Sequence, residues 1–439
     1  MKTLKRILAV LVLTAFAAAQ KPAAKPAAAT PASGPIAIVG GKLLTISHGT
    51  IENGVLVIDG GKISAVGKAG EVKVPKGALV IDARGMTVYP GLIDSENHLG
   101  LTEVSADKMT NDLIEMSDEI MPHMHVADAF HAESSLIPVT RYNGITNAVV
   151  APDDKDTLPG QDAFIQLAGK NANEMLLIRD LALPMDFTGE QRRNESFEKA
   201  KYPQTREGMA AQLRQTFISA QEYQQKWEDY RKTEAAGDKK KEAPKRDLKL
   251  EALVPYLQGK KPVVIAAQES NDVETAVRLA NEFHLKVILN RVSHSQEILD
   301  EIASWKLPVI VGPIYDEPKD DERYDAVYSL PAQLARRGVK IAFASYDSHN
   351  ARNLPYAAGY AVAFGLPYDE AMKALTLNPA EIWGVADQLG SLDAGKVANV
   401  VVADGDPLDV KTDVKHVFIA GQAVPMVTKQ TILRDEYSR

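Results

Sequence analysis

The chain has no cysteine among its 439 residues. Disulfides, thiolate nucleophiles and Cys-ligated zinc are therefore excluded, and stability has to come from packing alone. Positive charge is also short. The formal net charge is -8, and the one dense lysine run, Lys239-Lys240-Lys241, sits among Glu and Asp. Without a basic stripe to neutralise phosphates, nucleic acid is not an expected partner. No apolar run reaches membrane length. The longest candidate, Ile7 to Ala17, is too short to span a bilayer as a mature helix. What is present is ordinary for a soluble globular protein: 45% hydrophobic and 25% charged residues. The length suits two or three domains, or one barrel with an accessory domain.

The N-terminus reads as processing sequence. Lys2, Lys5 and Arg6 precede the short apolar run, and Ala17-Ala18-Ala19 supplies small residues before Gln20. This pattern predicts a secretory signal over residues 1–19, with an uncleaved anchor as the other reading. An exported protein, periplasmic or extracellular, with no membrane span after cleavage is expected. Residues 20–34 are Ala/Pro-rich and read as a linker.

Residues 35–90 have a β pattern. Val55-Leu56-Val57-Ile58 leads into Asp59-Gly60-Gly61, and Ile63-Ser64-Ala65-Val66 follows as the return strand of a hairpin. From residue 91 to about 390, strands alternate with helices. Pro262 to Ala267 is a continuous apolar strand, Val273, Ala276, Val277 and Ala280 fall on one helical face behind it, and Val287-Ile288-Leu289 is the next strand. Such repetition predicts an α/β fold with a parallel sheet, and the length fits a closed (β/α)8 TIM-type barrel. Residues 189–260 interrupt the rhythm as a helical excursion, with a stripe at Met209, Leu213, Phe217, Ala220, Tyr223 and Trp227. After residue 391 the pattern returns to β.

Val88-Tyr89-Pro90-Gly91-Leu92-Ile93-Asp94-Ser95-Glu96-Asn97-His98 resembles the end of the first barrel strand in the amidohydrolase superfamily, where Pro-Gly-(Leu/Phe)-Ile-Asp precedes a His-x-His pair. Leu375-Thr376-Leu377-Asn378-Pro379-Ala380 resembles that family's Thr-x-Asn-Pro-Ala helix. Gly390 to Val400 resembles its Gly-x-Leu-x-x-Gly-Lys-x-Ala-Asp-Leu-Val segment, with Asn399 for Asp. The likeness is greatest to exported relatives of imidazolonepropionase and of metal-dependent Xaa-Pro dipeptidases. It implies that residues 35–90 and 391–436 form one discontinuous β-sandwich around a barrel of residues 91–390. It also implies hydrolysis of a carbon–nitrogen bond, in a non-peptide or dipeptide-like small-molecule amide, by water activated on a divalent metal.

The resemblance carries residue by residue. The first-strand pair becomes Glu96 and His98, and the last-strand Asp, ligand and proton shuttle, becomes Asp347. The fourth-strand Lys has no counterpart, the fifth-strand His becomes Ala266, and the sixth-strand His becomes Arg291. Ala266 cannot coordinate, and a permanent guanidinium repels a metal. Two readings stand. In one, Glu96, His98 and Asp347 hold a single zinc, manganese or iron ion, with Glu269, His294 or His349 as a substitute ligand. In the other, Arg291 pairs with the carboxylates and replaces the metal's charge, no cofactor is bound, and the barrel is an inactive binding module. As partners, a small-molecule amide substrate and either a homo-oligomer or pairing with an active relative are expected. Separately, His123-Met124-His125, with Met109, Met116 and His131 nearby, offers copper-type ligands; the plainer reading has His123 lining the substrate cleft.

Overall fold

The structure is a computed structural model that describes residues 34–115, 117–153, 155–188, 202–203, 205–237 and 242–438. The expected signal sequence, almost all of the expected linker, Met116, Lys239-Lys240-Lys241 and much of the first part of the expected excursion lie outside the described residues.

The first five strands are β1 (Ile36–Leu44), β2 (Thr50–Asp59), β3 (Lys62–Lys68), β4 (Leu79–Asp82) and β5 (Thr87–Pro90). The β2–β3 turn forms as its sequence demands: Gly60 and Gly61 have φ of 56° and 81°, and Asp59 pairs with Lys62 across them. Both central residues of such a turn need positive φ, which glycine adopts without steric cost.

Nine strands follow. They are β6 (Leu92–Asn97), β7 (Ile145–Val150), β8 (Ala163–Gln166), β9 (Leu176–Ile178), β10 (Leu183–Asp186), β11 (Pro262–Glu269), β12 (Lys286–His294), β13 (Val309–Val311) and β14 (Ile341–Phe343). The chain ends with β15 (Val400–Ala403), β16 (Val414–Ile419), β17 (Gln422–Ala423) and a short helix, Lys429–Tyr437. One eight-stranded sheet joins both ends of the chain in the order β17-β16-β15-β5-β1-β2-β3, with β4 beside β1. Val402 pairs with Val88 across the β15–β5 seam, and Ile38, Leu56, Val88, Val400 and Phe418 share its core.

Strands β10 to β14 form a five-stranded parallel sheet, and β6 to β9 a four-stranded one. β8 runs antiparallel to β7, against the uniform βα rhythm expected from sequence. Between residues 151 and 162 no helix occurs among the described residues. They turn the chain back as a hairpin does, whereas a parallel return needs a full crossover.

Side-chain alternation separates two cores. Ile93, Val149, Phe164, Val264, Ile288 and Ile310, drawn from both sheets, fall in one cluster. Their strand neighbours Val263, Ile265, Val287, Leu289, Val309 and Val311 fall in the larger cluster with the helices. This is the period-two consequence of strands buried on both faces. Hydrogen bonds also cross between the sheets: Tyr346 N donates to Glu96 O (3.0 Å), Leu181 N to Asp162 O (2.9 Å) and Asp162 N to Ala182 O (3.0 Å).

In the excursion, the helix Arg206–Ala235 starts at Thr205, whose hydroxyl accepts from Gly208 N. It buries Met209, Leu213, Phe217, Ala220 and Tyr223, the stripe read from sequence, and Phe217 packs on Phe283 at 5.1 Å between ring centroids. Arg206 grips Asp272 in the helix Ser270–Glu282 with two hydrogen bonds. Asp272 thus tethers its helix to the helix Arg206–Ala235. Among the described residues, no helix is long and apolar enough to cross a membrane.

Candidate functional site at the strand ends

Strand register sets the floor of the site. Asp186, Ala266 and Asn290 lie level across β10, β11 and β12, and Asn97 lies opposite Val150 on β7. The reversal of β8 places its leading residue, Asp162, at this same end, next to Ala163, the partner of Val150.

Side chains link up across this floor. Glu96, 6% exposed, accepts a 2.6 Å hydrogen bond at Oε2 from Asn290 Nδ2. Asn290 Oδ1 in turn accepts from the Tyr346 hydroxyl at 2.6 Å. The Arg291 guanidinium carbon stands 4.3 Å from the centroid of the Tyr346 ring, within cation–π range. Arg291, Val292 and Tyr346 all have positive φ, 73°, 45° and 53°. Side chains rarely take that region, least of all a β-branched one, and such strain concentrates at functional sites. It turns the backbone so that Asn290 and Arg291 can both serve this end of β12.

Three acidic groups surround the chain Glu96–Asn290–Tyr346. Asp94 is fully buried and accepts from Ser345 N, Ser345 Oγ, Asn97 Nδ2 and Glu96 N. Burial pushes its carboxyl up to about 6 against those four bonds. Asp162, 1% exposed, is raised well above the usual carboxylate range, first by burial and then by the charge of Glu96, and its Oδ1 has no hydrogen-bond partner. Asp347 is half-buried. Burial pushes it up, but the Asn350 side-chain amide, the backbone N–H of Asn350 and that of His349 outweigh burial and hold it below the usual range.

These residues do not fit a divalent metal. His98 keeps the orientation of a ligand: its Nδ1 donates to Ala151 O at 2.9 Å, a carbonyl partner that fixes the tautomer and leaves Nε2 as the lone-pair nitrogen. Glu96 is occupied by an amide donor, Asp347 is held in its own turn, and Ala266 contributes nothing. Among the described residues no group of three His, Asp or Glu side chains is placed to hold an ion. The substitutes are engaged elsewhere. Glu269 pairs with Lys319, and His294 Nδ1 pairs with Glu322 at 2.9 Å. His349 donates its backbone N–H to Asp347 (2.7 Å), and its Nδ1 lies 3.2 Å from the Ser348 hydroxyl. His123 is partly buried, its pKa lowered by burial and by Lys249, with Asp118, His125 and Asp247 as its other charged neighbours. Among the described residues the copper-type ligands do not assemble either. His125 binds Asp180 (2.6 Å), His131 binds Asp112 (3.2 Å), and Met109 is 91% exposed.

Sequence reasoning passed over Asn290, Tyr346 and Asp162. The signal for Asn290 is a lone amide ending an apolar strand. For Asp162 it is a carboxylate directly before Ala163-Phe164-Ile165. Neither signal names the residue's partner.

The class is therefore an α/β protein with its polar centre at the C-terminal ends of parallel strands. The sequence profile of the Amidohydrolase family matches residues 319–424. A crystal structure of an amidohydrolase from Thermotoga maritima is similar at a TM-score of 0.80 and 27% identity, over 89% of this chain and 99% of that one. A Xaa-Pro dipeptidase with methionine bound in its active site shares the fold at a TM-score of 0.55 and 17% identity, over 89% and 99% of the two chains. The amidohydrolase tasK of Hapsidospora irregularis is 27% identical over 392 residues, 84% of this chain; the chain spans 40% of that relative's length. Residues 319–424 thus match the Amidohydrolase family, and most of the chain is similar to amidohydrolases in sequence and fold.

Proposed function

We propose that the chain hydrolyses a carbon–nitrogen bond in a small amide, non-peptide or dipeptide-like. The observation that carries this reading is the hydrogen-bonded chain Glu96–Asn290–Tyr346 at the strand ends, with Asp162 beside it. Asn290 fixes the Glu96 carboxylate, which takes a proton from water as that water attacks the carbonyl carbon. Arg291, stacked on Tyr346, offers positive charge to the oxyanion that forms. Asp162, whose burial beside Glu96 favours its protonated form, delivers a proton to the departing nitrogen. Two carboxyl groups with environments that push their titrations apart divide acid and base roles in this way. The similarity to amidohydrolases favours this reading over an inactive binding module.

In the same reading, the two sheets carrying β6 to β14 are arcs of one closed (β/α)8 barrel, and the eight-stranded sheet belongs to a split sandwich of residues 35–90 and 391–436. The shared inner cluster and the hydrogen bonds between the sheets support this. Export by residues 1–19 belongs to it too, supported by the N-terminal sequence pattern alone.

The test is amine release from a panel of N-acyl amino acids, simple N-acyl amines and Xaa-Pro dipeptides. Wild type is expected to turn over at least one class. Glu96→Gln is expected to lose about 100-fold or more in kcat, the scale of a general base. No release from any class, or a Glu96→Gln variant as active as wild type, overturns the proposal.

A further inference from the structure

Away from the strand ends, a cavity of about 400 Å3 opens between the helix Arg206–Ala235 and the helix Leu248–Leu257. Small-molecule sites typically occupy a few hundred to a thousand cubic ångströms. Its floor is aromatic. Trp227 stands between Tyr223 and Tyr230, with ring centroids 6.2 and 5.9 Å away, and Trp227 and Tyr223 line the space. The indole Nε1 of Trp227 is buried and has no hydrogen-bond partner.

The walls are basic in a chain that is acidic overall. Arg231, Arg246 and Lys260 line the cavity against a single carboxylate, Glu251. Arg246 and Glu251 satisfy one another through two hydrogen bonds, 2.5 and 3.1 Å. Arg231 lies over the Trp227 ring, its guanidinium carbon 5.9 Å from the centroid. Among the described residues, Arg231 and Lys260 enter no ion pair with a carboxylate, whereas Lys232 and Arg246 beside them do.

We propose that this cavity is a second ligand site, separate from the strand ends, for a planar aromatic carboxylate. The ring of the ligand lies against Trp227 and Tyr223. Its carboxylate meets Arg231 and Lys260. A neutral aromatic gains the stacking but leaves both cations without a counter-charge. An aliphatic acid gains the ion pair but leaves the aromatic floor exposed.

Benzoate is the probe and benzamide its neutral counterpart. The full chain contains three tryptophans, Trp227, Trp305 and Trp383. With 15N-labelled indoles they report separately, and the Trp227 signal is assigned by its loss in Trp227→Phe. Benzoate is expected to shift the Trp227 resonance saturably and to leave those of Trp305 and Trp383 in place. Arg231→Gln and Lys260→Gln are each expected to weaken benzoate binding about tenfold, the cost of one charge-assisted hydrogen bond. Unchanged Trp305 and Trp383 signals show that each variant is folded. The proposal is overturned if benzoate gives no saturable shift at Trp227, if benzamide shifts it equally, or if both variants bind benzoate as wild type does. Because the readout is an indole resonance, the result is independent of any amide hydrolysis.

Discussion

Asn290 is the residue on which the polar centre turns, and its removal gives a quantitative test. Asn290→Ala deletes two hydrogen bonds at once, one to the Glu96 carboxylate and one from the Tyr346 hydroxyl. The first is charge-assisted and contributes about 1.5–3 kcal/mol; the second is neutral and contributes about 0.5–1.5 kcal/mol. Asn290 is 2% exposed, so water does not replace either bond without rearrangement. The expected cost is therefore about 2–4.5 kcal/mol. Tyr346→Phe removes only the hydroxyl, for about 0.5–1.5 kcal/mol, and keeps the ring under Arg291. The double variant must cost less than the two singles together, because the Tyr346–Asn290 bond is lost once and counted twice. A coupling of about 0.5–1.5 kcal/mol is expected. Urea denaturation followed by circular dichroism and by tryptophan fluorescence measures it, provided the two probes give coincident transitions. Additivity within about 0.3–0.5 kcal/mol would refute a connected network and leave two unrelated contacts.

Three further outcomes follow from the same coordinates. Phe164→Ala empties a fully buried ring position in the inner cluster and is expected to cost about 3–5 kcal/mol in the same denaturation assay; a loss under about 1 kcal/mol, close to the scale of a surface substitution, would remove Phe164 from the core. Arg206→Gln strands Asp272, which is 1% exposed. Because the Arg206 side chain is 42% exposed and water shares the load, the cost is about 1–3 kcal/mol, and limited proteolysis within residues 206–235 should accelerate; unchanged cleavage would show the pair does not hold the helix. Asp393 is held below the usual carboxylate range. Burial raises it, but hydrogen bonds from Ser391 and Ser47 and the charges of Lys396 and His48 outweigh that. A depressed carboxylate stabilises the fold above its unfolded value near 4, and this contribution is lost as pH falls through the lower folded value. Asp393→Asn should therefore flatten the acid limb of stability against pH, and an unaltered limb would discount the group.

Several local features are legible in the sequence. The Gly60-Gly61 turn followed from the need for positive φ, and the helical stripe from Met209 to Tyr223 followed from its spacing. The strands at Pro262–Glu269 and Lys286–His294 contain the apolar runs that announced them. Motif order was enough to indicate the superfamily, because it is carried by residues close together in sequence. The direction of β8 was not legible. An alternating strand reads the same parallel or antiparallel, and only its pairing with β7 shows the reversal that carries Asp162 to the strand ends.

The altered residues Glu96, Ala266 and Arg291 were visible as substitutions, but their consequence was not. Glu96 and Asn290 are 194 positions apart, and no local pattern says that one donates to the other. Likewise the left-handed turn at Arg291 and Val292, which brings the guanidinium over Tyr346, is imposed by the surrounding sheet against the preference of both residues. The sequence determined composition, local periodicity and family, since each depends on neighbours a few residues away. Tertiary structure decided which polar groups meet, since hydrogen bonding and burial act through space and are indifferent to separation along the chain.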